Sequence, residues 1–341
     1  MLVETLAQLV AGRPLSEAEA QTAFAHILEG EADDAQIGAL LALIARRGPT
    51  IDELVGAARA MRAVLTPIPY DAPAGEALID TCGTGGAPKT FNISTAAALV
   101  VAGAKGSRRV RVAKHGNRSR TGRGSAEVLQ ALGVNIDADP QAQARCLDRA
   151  GVCFCFAIHH HPATRHASGA RKSLAFPTIF NLLGPLTNPA RAPRQLVGIY
   201  DRVYVEPMAK ALLRLGADRA MVVTGLDKMD EISTTDRTYI AHLKDGVVST
   251  ELFDPASLMI QRARHEDLRA DSVDAAARII RSVLEGQTGH TREIVVLNAG
   301  AALFVADAAE SIREGVDLAR KSIDSGAANE ALRALAAASR D

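Results

Sequence analysis

Residues 80–95 read DTCGTGGAPKTFNIST, with three glycines within four positions followed by Thr90, Asn92, Ser94 and Thr95. Gly83, Gly85 and Gly86 carry no Cβ, so their backbone N–H groups can come close to an anion. The apolar run Ala77–Ile79 precedes them as a strand, and Ala96–Val101 follows as a buried helix. A helix starting near Ser94 adds free N–H groups and a positive dipole end. Phosphate or pyrophosphate is the natural guest of such a turn, with the hydroxyls of Thr90, Ser94 and Thr95 as further donors. The stretch has neither the G-K-[ST] ending of a Walker A loop nor the G-x-G-x-x-G spacing of a dinucleotide site.

Four other stretches carry polar chemistry. In VAKHGNRSRTGRGSAE (112–127), Lys114, Arg118, Arg120 and Arg123 supply positive charge, His115 and Asn117 neutral polar groups, and Gly122 and Gly124 lead into a second helix. HHHPATRHASGARK (159–172) holds three consecutive histidines. Adjacent positions point in different directions and no zinc spacing is present, so a polar wall fits better than a metal centre. In that wall Arg171 suits a carboxylate, which a guanidinium binds bidentately. GLDKMDEISTTD (225–236) follows the apolar Met221–Val223 and places Asp230 beside Glu231, hard oxygen ligands suited to Mg²⁺ held partly by substrate phosphates. FNLLGPLTNPA (180–190) reads by itself only as a loop or hinge. Strands followed by such loops place them at one end of an α/β sheet, where ligands bind. The parts describe group transfer from a pyrophosphate-bearing substrate, with Mg²⁺ and a second substrate.

The elements that position these loops are legible in the pattern. The first 66 residues read as helices alone, with capping boxes at Ser16–Glu19 and Thr50–Glu53 and a break at Gly48-Pro49. TPIPYDAPAG, with Pro67, Pro69 and Pro73, is an extended connector. Beyond it, strands over 77–80, 110–113, 152–158, 196–200 and 220–224 alternate with helices over 94–104, 125–132, 141–150 and 206–215. That alternation predicts an α/β fold, a mostly parallel sheet covered by helices, beside a small all-helical domain. Lys244-Asp245-Gly246 separates two further strands, 239–243 and 247–252, as a hairpin. The chain of 341 residues has 39 basic and 39 acidic side chains, so no general basic grip on nucleic acid is expected. Cys82, Cys146, Cys153 and Cys155 lack C-x-x-C spacing and read as buried thiols of a cytoplasmic protein. No secretory signal and no apolar run of membrane-spanning length are visible.

GTGG…TFNIST, AKHGNR, HPA…ARK, TIFNLLGPLTNP and DEIS, in this order, resemble the anthranilate phosphoribosyltransferases, a family of tryptophan-pathway enzymes. The resemblance extends from about residue 3 to beyond 330. Pyrimidine nucleoside phosphorylases share the wider fold. The resemblance implies a helical domain of residues 1–66 completed by about 166–190, a large α/β domain of 70–165 and 191–341, and a site between them. It also implies a homodimer joined through the small domain, and transfer of phosphoribose from phosphoribosyl pyrophosphate to anthranilate. By motif, Gly83, Gly86, Thr90, Asn92, Ser94, Thr95, Lys114 and Thr121 would hold phosphoribosyl pyrophosphate. Ser94, Asp230 and Glu231 would serve Mg²⁺, two ions per site. Gly83, His115, Asn117, His161, Arg171 and Pro185 would line the anthranilate path, with His115 and Arg171 positioning the acceptor.

The sequence departs from that family in three places. Ala87-Pro88-Lys89 replaces an acidic residue and stands one position short, Arg118–Arg123 replaces a serine pair, and Pro177 stands where arginine is frequent. These changes are expected to act on affinity or acceptor choice. Two other readings stay open at this point: a phosphorylase or phosphoribosyltransferase of the same fold with a different acceptor, and a non-catalytic nucleic-acid-binding homologue using Arg108, Arg109, Arg111, Arg118, Arg120 and Arg123.

Overall fold

A computed structural model describes residues 2–86, 90–119 and 122–341. Four helices open the chain: α1 (Leu2–Val10), α2 (Glu17–Leu28), α3 (Asp34–Arg47) and α4 (Ile51–Ala63). Both expected capping boxes form. Ser16 Oγ accepts the Glu19 N–H while Glu19 Oε2 accepts the Ser16 N–H at 2.8 Å, and Thr50 and Glu53 exchange the same pair of bonds. A third box joins Asp33 and Gln36 at the start of α3. Glu53 is fully buried, yet both oxygens are used: it caps α4, accepts the Leu15 N–H at 3.0 Å and pairs with Arg47. Gly48 ends α3 with φ +80°, a left-handed conformation that favours glycine.

The rest of the chain is built on seven strands, β1 (Ala77–Gly83), β2 (Val110–Gly116), β3 (Val152–Phe156), β4 (Arg194–Gly198), β5 (Arg219–Gly225), β6 (Thr238–Lys244) and β7 (Val247–Phe253). They form one sheet in the order β3-β2-β1-β4-β5-β6-β7. The first five strands are mutually parallel, and β6 and β7 add antiparallel at one edge. The hairpin lies where expected, with Asp245 and Gly246 at φ +51° and +75°. The sheet is thus mostly parallel and covered by helices, as the alternation predicts. Several boundaries shift, with β1 and β2 each running three residues longer than expected and β4 two residues earlier, and one stretch changes type: β3 stops at Phe156 and a short helix, Ala157–His160, replaces the rest of the expected strand. The reason is a long-range bond, since the His160 carbonyl accepts the Thr66 N–H at 2.9 Å.

Two apolar clusters hold the layers. One packs the helices Ile93–Gly103, Val273–Leu284, His290–Val305 and Ala327–Ala338 against one sheet face. The other joins α1–α4 to Ala167, Phe180 and Leu183, and to β4, β5 and the helix Val205–Arg214 on the opposite face. The segment 162–186 therefore packs with the N-terminal helices: the Ala170 N–H donates to Asp34 Oδ1 at 3.2 Å, and Phe180 meets Phe24 with ring centroids 5.6 Å apart. All four cysteines are buried free thiols. Among the described residues no helix is long and apolar enough to cross a membrane.

The chain runs β1, β2, β3 to one side of β1 and then places β4 on its other side. The switch point between β1 and β4 lies at their carboxyl ends, the usual ligand position of such sheets. The loop after β5 is held at that end because Asn298, buried on the helix His290–Val305, grips the Ile232 backbone. Its Oδ1 accepts the Ile232 N–H at 2.9 Å, and its Nδ2 donates to the Ile232 and Ile294 carbonyls. Asn298→Ala strands buried backbone groups and is expected to cost about 2–4 kcal/mol, measured as a lower urea midpoint with an unchanged m value.

Candidate active site

Gly83, at the end of β1, lies so close to the acidic loop that a Cβ there would meet Asp230 Oδ2 at 2.8 Å. Gly198, at the end of β4, is tighter still, since a Cβ would fall 1.6 Å from the Asp230 carbonyl oxygen. Glycine at 198 lets the Asp230 backbone close onto the sheet, and glycine at 83 leaves room for the Asp230 carboxylate. Gly85 and Gly86 follow with φ +66° and +96°, and the Gly85 N–H donates to Asp230 Oδ2 at 3.2 Å. Thr84 ties this turn to β4: its N–H donates to the Gly198 carbonyl, and its hydroxyl oxygen accepts the Tyr200 N–H at 3.0 Å.

Asn92 stands at the N-terminal cap of the helix Ile93–Gly103, and Ser94 is in the first turn. The Ser94 N–H donates to Glu231 Oε1 at 3.1 Å. Lys114, at the carboxyl end of β2, is almost fully buried; its Nζ donates to the Thr81 carbonyl at 2.8 Å and to Ser94 Oγ at 3.1 Å. Burial pushes its ammonium below the ordinary lysine value, opposed chiefly by the charge of Asp80. Asp80 is fully buried in β1, and its Oδ1 accepts the His115 N–H at 2.9 Å. Burial raises its carboxyl, and that backbone bond acts against the rise. Thr95 is buried in the same first turn, its hydroxyl without a partner among the described residues, and the Thr90 hydroxyl donates to the neighbouring Phe91 carbonyl.

Asp230 and Glu231 are half-buried. Burial raises both carboxyls, and the charge of Asp230 helps push Glu231 up to about 8. A divalent cation would favour the ionised forms that burial disfavours, and the two adjacent carboxyl groups, with the Ser94 hydroxyl beside them, are a hard oxygen donor set for one. Two protein carboxylates alone match Mg²⁺, which keeps waters and takes substrate phosphates as its other ligands. The described residues contain no cluster of three or more His, Cys, Asp or Glu side chains able to hold a metal by themselves.

A second group of residues lies at the end of β2 and the turn 184–187. His115 Nδ1 donates to the Gly184 carbonyl at 3.0 Å, which fixes the tautomer and leaves Nε2 as a buried acceptor with no partner. His161 lies against it, ring centroids 5.2 Å apart, with Nδ1 likewise buried and unpartnered. Burial lowers His115 to about 4, helped by the charge of His160, and lowers His161 to about 3, helped by His115 and then His160. Both rings are neutral at neutral pH. The other two histidines face elsewhere: His159 meets Asp137 at the surface, and His160 is buried between the Thr66 carbonyl and Gln143 Oε1.

Arg171 stands on the helix Ser168–Leu174 with its guanidinium 4.9 Å from the Phe180 ring centroid. Pro185 is buried in the turn, where its carbonyl accepts Gln195 Nε2 at 2.7 Å. Asn117 is exposed just beyond β2, its Oδ1 accepting the Arg118 N–H at 2.8 Å. Thr121 and the departing residues Ala87, Pro88, Lys89 and Arg120 lie outside the described residues. Direct contacts join Gly83, Ser94, Lys114, Asp230 and Glu231 into one group, and His115, His161 and the 184–187 turn into another. Asp80 belongs to the first group through Lys114; it opens the glycine-rich stretch, but the motif reading assigns it no role. Its signal is a carboxylate inside the otherwise apolar run of a buried strand.

The fold and these paired loops define a transferase class. The sequence profile of the glycosyl transferase family's helical bundle domain matches residues 3–64, and that of its α/β domain matches 75–329. The chain belongs to the anthranilate phosphoribosyltransferase family within that class. It is 49% identical over 323 residues to the anthranilate phosphoribosyltransferase of Thioalkalivibrio sulfidiphilus, covering 94% of each chain. The crystal structure of the Thermus thermophilus enzyme superposes with a TM-score of 0.90 at 35% identity, covering 98% of this chain and 99% of that one. An anthranilate phosphoribosyltransferase from Saccharomyces cerevisiae, in complex with phosphoribosyl pyrophosphate and magnesium, shares the fold with a TM-score of 0.89 at 22% identity, covering 99% of this chain and 98% of that one.

The neutral histidines give an acid-side signature. Below the unfolded value near 6.5 the unfolded chain takes up a proton at His115, and the folded chain does not until about pH 4. Stability is therefore expected to fall between these limits, by about 3 kcal/mol in full. Urea unfolding at pH 6.5 and 5 should show the loss, and His115→Gln should reduce it, leaving the part that His161 contributes.

Proposed function

We propose that the protein transfers the 5-phosphoribosyl group from phosphoribosyl pyrophosphate to the amine of anthranilate, releasing pyrophosphate, in L-tryptophan biosynthesis. The observation that carries this reading is the meeting, at one end of the sheet, of a glycine turn, a buried lysine and an adjacent carboxylate pair. In it Gly83, Gly86, Thr90, Asn92, Ser94, Thr95 and Lys114 bind phosphoribosyl pyrophosphate through backbone N–H groups, hydroxyls and one ammonium. Ser94, Asp230 and Glu231 hold the magnesium, two ions per site. Magnesium bound there supplies neutralisation of the charge on the pyrophosphate oxygens.

Anthranilate enters on the side of Gly83, His115, Asn117, His161, Arg171 and Pro185. Arg171 pairs with its carboxylate. The buried acceptor nitrogens, His115 Nε2 and His161 Nδ1, suit a group that brings N–H donors and no acceptor, which describes an aromatic amine. As the bond from the ribose carbon to the pyrophosphate oxygen breaks and the bond to nitrogen forms, the amine acquires positive charge. A neutral imidazole at His115 orients the amine and can take its proton. The amine is already unprotonated at neutral pH, so positioning rather than a strong base is the main contribution.

The exposed Val3 and Val10 on α1, 68% and 73% accessible, support a homodimer formed through the helical bundle. The balanced charge and the biosynthetic reaction fit a cytoplasmic enzyme.

Loss of anthranilate fluorescence with phosphoribosyl pyrophosphate and Mg²⁺ measures turnover, and its absence in folded protein would overturn the reading. Arg171→Ala is expected to raise the KM for anthranilate about tenfold to a hundredfold, the worth of a charge-assisted pair, with a smaller change for phosphoribosyl pyrophosphate. Asp230→Asn combined with Glu231→Gln should abolish turnover. In calorimetry the same variant should lose the Mg²⁺ dependence of phosphoribosyl pyrophosphate binding while its circular dichroism stays unchanged.

A further inference from the structure

The chain passes between the helical bundle and the sheet three times, through residues 64–76, 157–161 and 187–193, and the crossings are tied together. The Thr66 N–H donates to the His160 carbonyl at 2.9 Å, and the Ile68 N–H to the Pro189 carbonyl at 3.1 Å. Beside this junction lies a cavity of about 390 Å³. Arg62 from α4 and Arg191 from the third crossing line it, with Leu65, Pro193, Leu215 and Ala217 among its apolar walls. No Asp or Glu lines it.

Arg62 is half-buried and has no carboxylate partner among the described residues. Its Nε donates to the Leu186 carbonyl at 2.8 Å and its Nη1 to the Leu215 carbonyl at 2.9 Å, leaving Nη2 for another acceptor. Burial, and then the charges of Arg59 and Arg191, push its guanidinium below the ordinary arginine value. Arg191 is exposed and makes no side-chain hydrogen bond or ion pair with the described residues. Its φ of +52° is left-handed, held by an Asn188 turn in which Asn188 Oδ1 accepts the Ala190 N–H and the Asn188 carbonyl accepts the Arg191 N–H. Such a conformation is unfavourable for an arginine.

We propose that this junction cavity binds a small organic carboxylate, whose anionic end bridges Arg62 and Arg191 and whose apolar body lies against Leu65, Pro193, Leu215 and Ala217. Two guanidinium groups with free N–H donors and no counter-charge call for an oxyanion. The apolar walls favour a ligand with a hydrocarbon body over an inorganic ion, and the volume suits a small organic molecule. The ligand ties α4 to the segment that follows the 184–187 turn. This site is separate from the one that reads the acceptor through Arg171.

Calorimetric titration with hexanoate tests the proposal. Saturable binding is expected, weakened about tenfold or more by Arg191→Gln, the worth of one charge-assisted hydrogen bond. Binding should persist in Arg171→Ala, and hexanamide should not bind. Absence of saturable hexanoate binding, or equal binding by wild type and Arg191→Gln, would overturn the site. Binding lost in Arg171→Ala alone would place the carboxylate at the acceptor position and overturn it too. Inorganic phosphate binding as tightly as hexanoate, with the same dependence on Arg191, would overturn the organic ligand class. Arg191 has no side-chain partner to lose among the described residues, so its variant folds, and circular dichroism checks that.

Discussion

Two carboxylates side by side at the poorly hydrated end of a parallel sheet repel each other, and the surrounding structure answers that repulsion. Asp230 and Glu231 receive one N–H from the glycine turn, one from the first turn of a helix, and the field of a buried lysine. Lys114 is in turn held by the Thr81 carbonyl and the Ser94 hydroxyl, and its charge is balanced from below by Asp80. Gly198 is required because anything larger would push the acidic loop off the sheet, and Gly83 leaves the Asp230 carboxylate its place. Remove the carboxylate pair and the reasons for a buried lysine, two close-approach glycines and the Asn298 clamp disappear together.

The acceptor side works by the opposite principle. The phosphate side gathers formal charge. The histidine side excludes it, by burying two imidazoles against each other until neither holds a proton at neutral pH. One of them has its tautomer set by a main-chain carbonyl of the 184–187 turn. A reaction that separates charge on one substrate and creates it transiently on the other is served by such a division.

Much of this is readable from local pattern. Glycine spacing, helix caps and the strand–helix alternation are short-range properties, so the capping boxes, the hairpin at Asp245-Gly246 and the parallel order of strands are visible in the residues themselves. The adjacent Asp230 and Glu231 announce themselves for the same reason. What escapes is non-local. Nothing near residue 180 says that the Gly184 carbonyl orients His115, and FNLLGPLTNPA reads as a bare hinge. Roles for His161 and Pro185 come only through family resemblance. Asp80 is hidden because burial of a carboxylate depends on a lysine in the neighbouring strand. The end of β3 falls earlier than its apolar run suggests because His160 answers to Thr66, which belongs to a distant crossing.

The threefold crossing between bundle and sheet bears on how the protein is made. During synthesis α1–α4 leave the ribosome first, but the segment that covers them, residues 162–186, emerges only after β1, β2 and β3. Until then the apolar faces around Phe24 and Leu41 have no lid, and the nascent bundle depends on delay or on a chaperone to stay out of unwanted associations. The same interleaving means that neither lobe can be excised as a contiguous piece of chain. A gene fragment ending after α4 would encode a bundle lacking one wall.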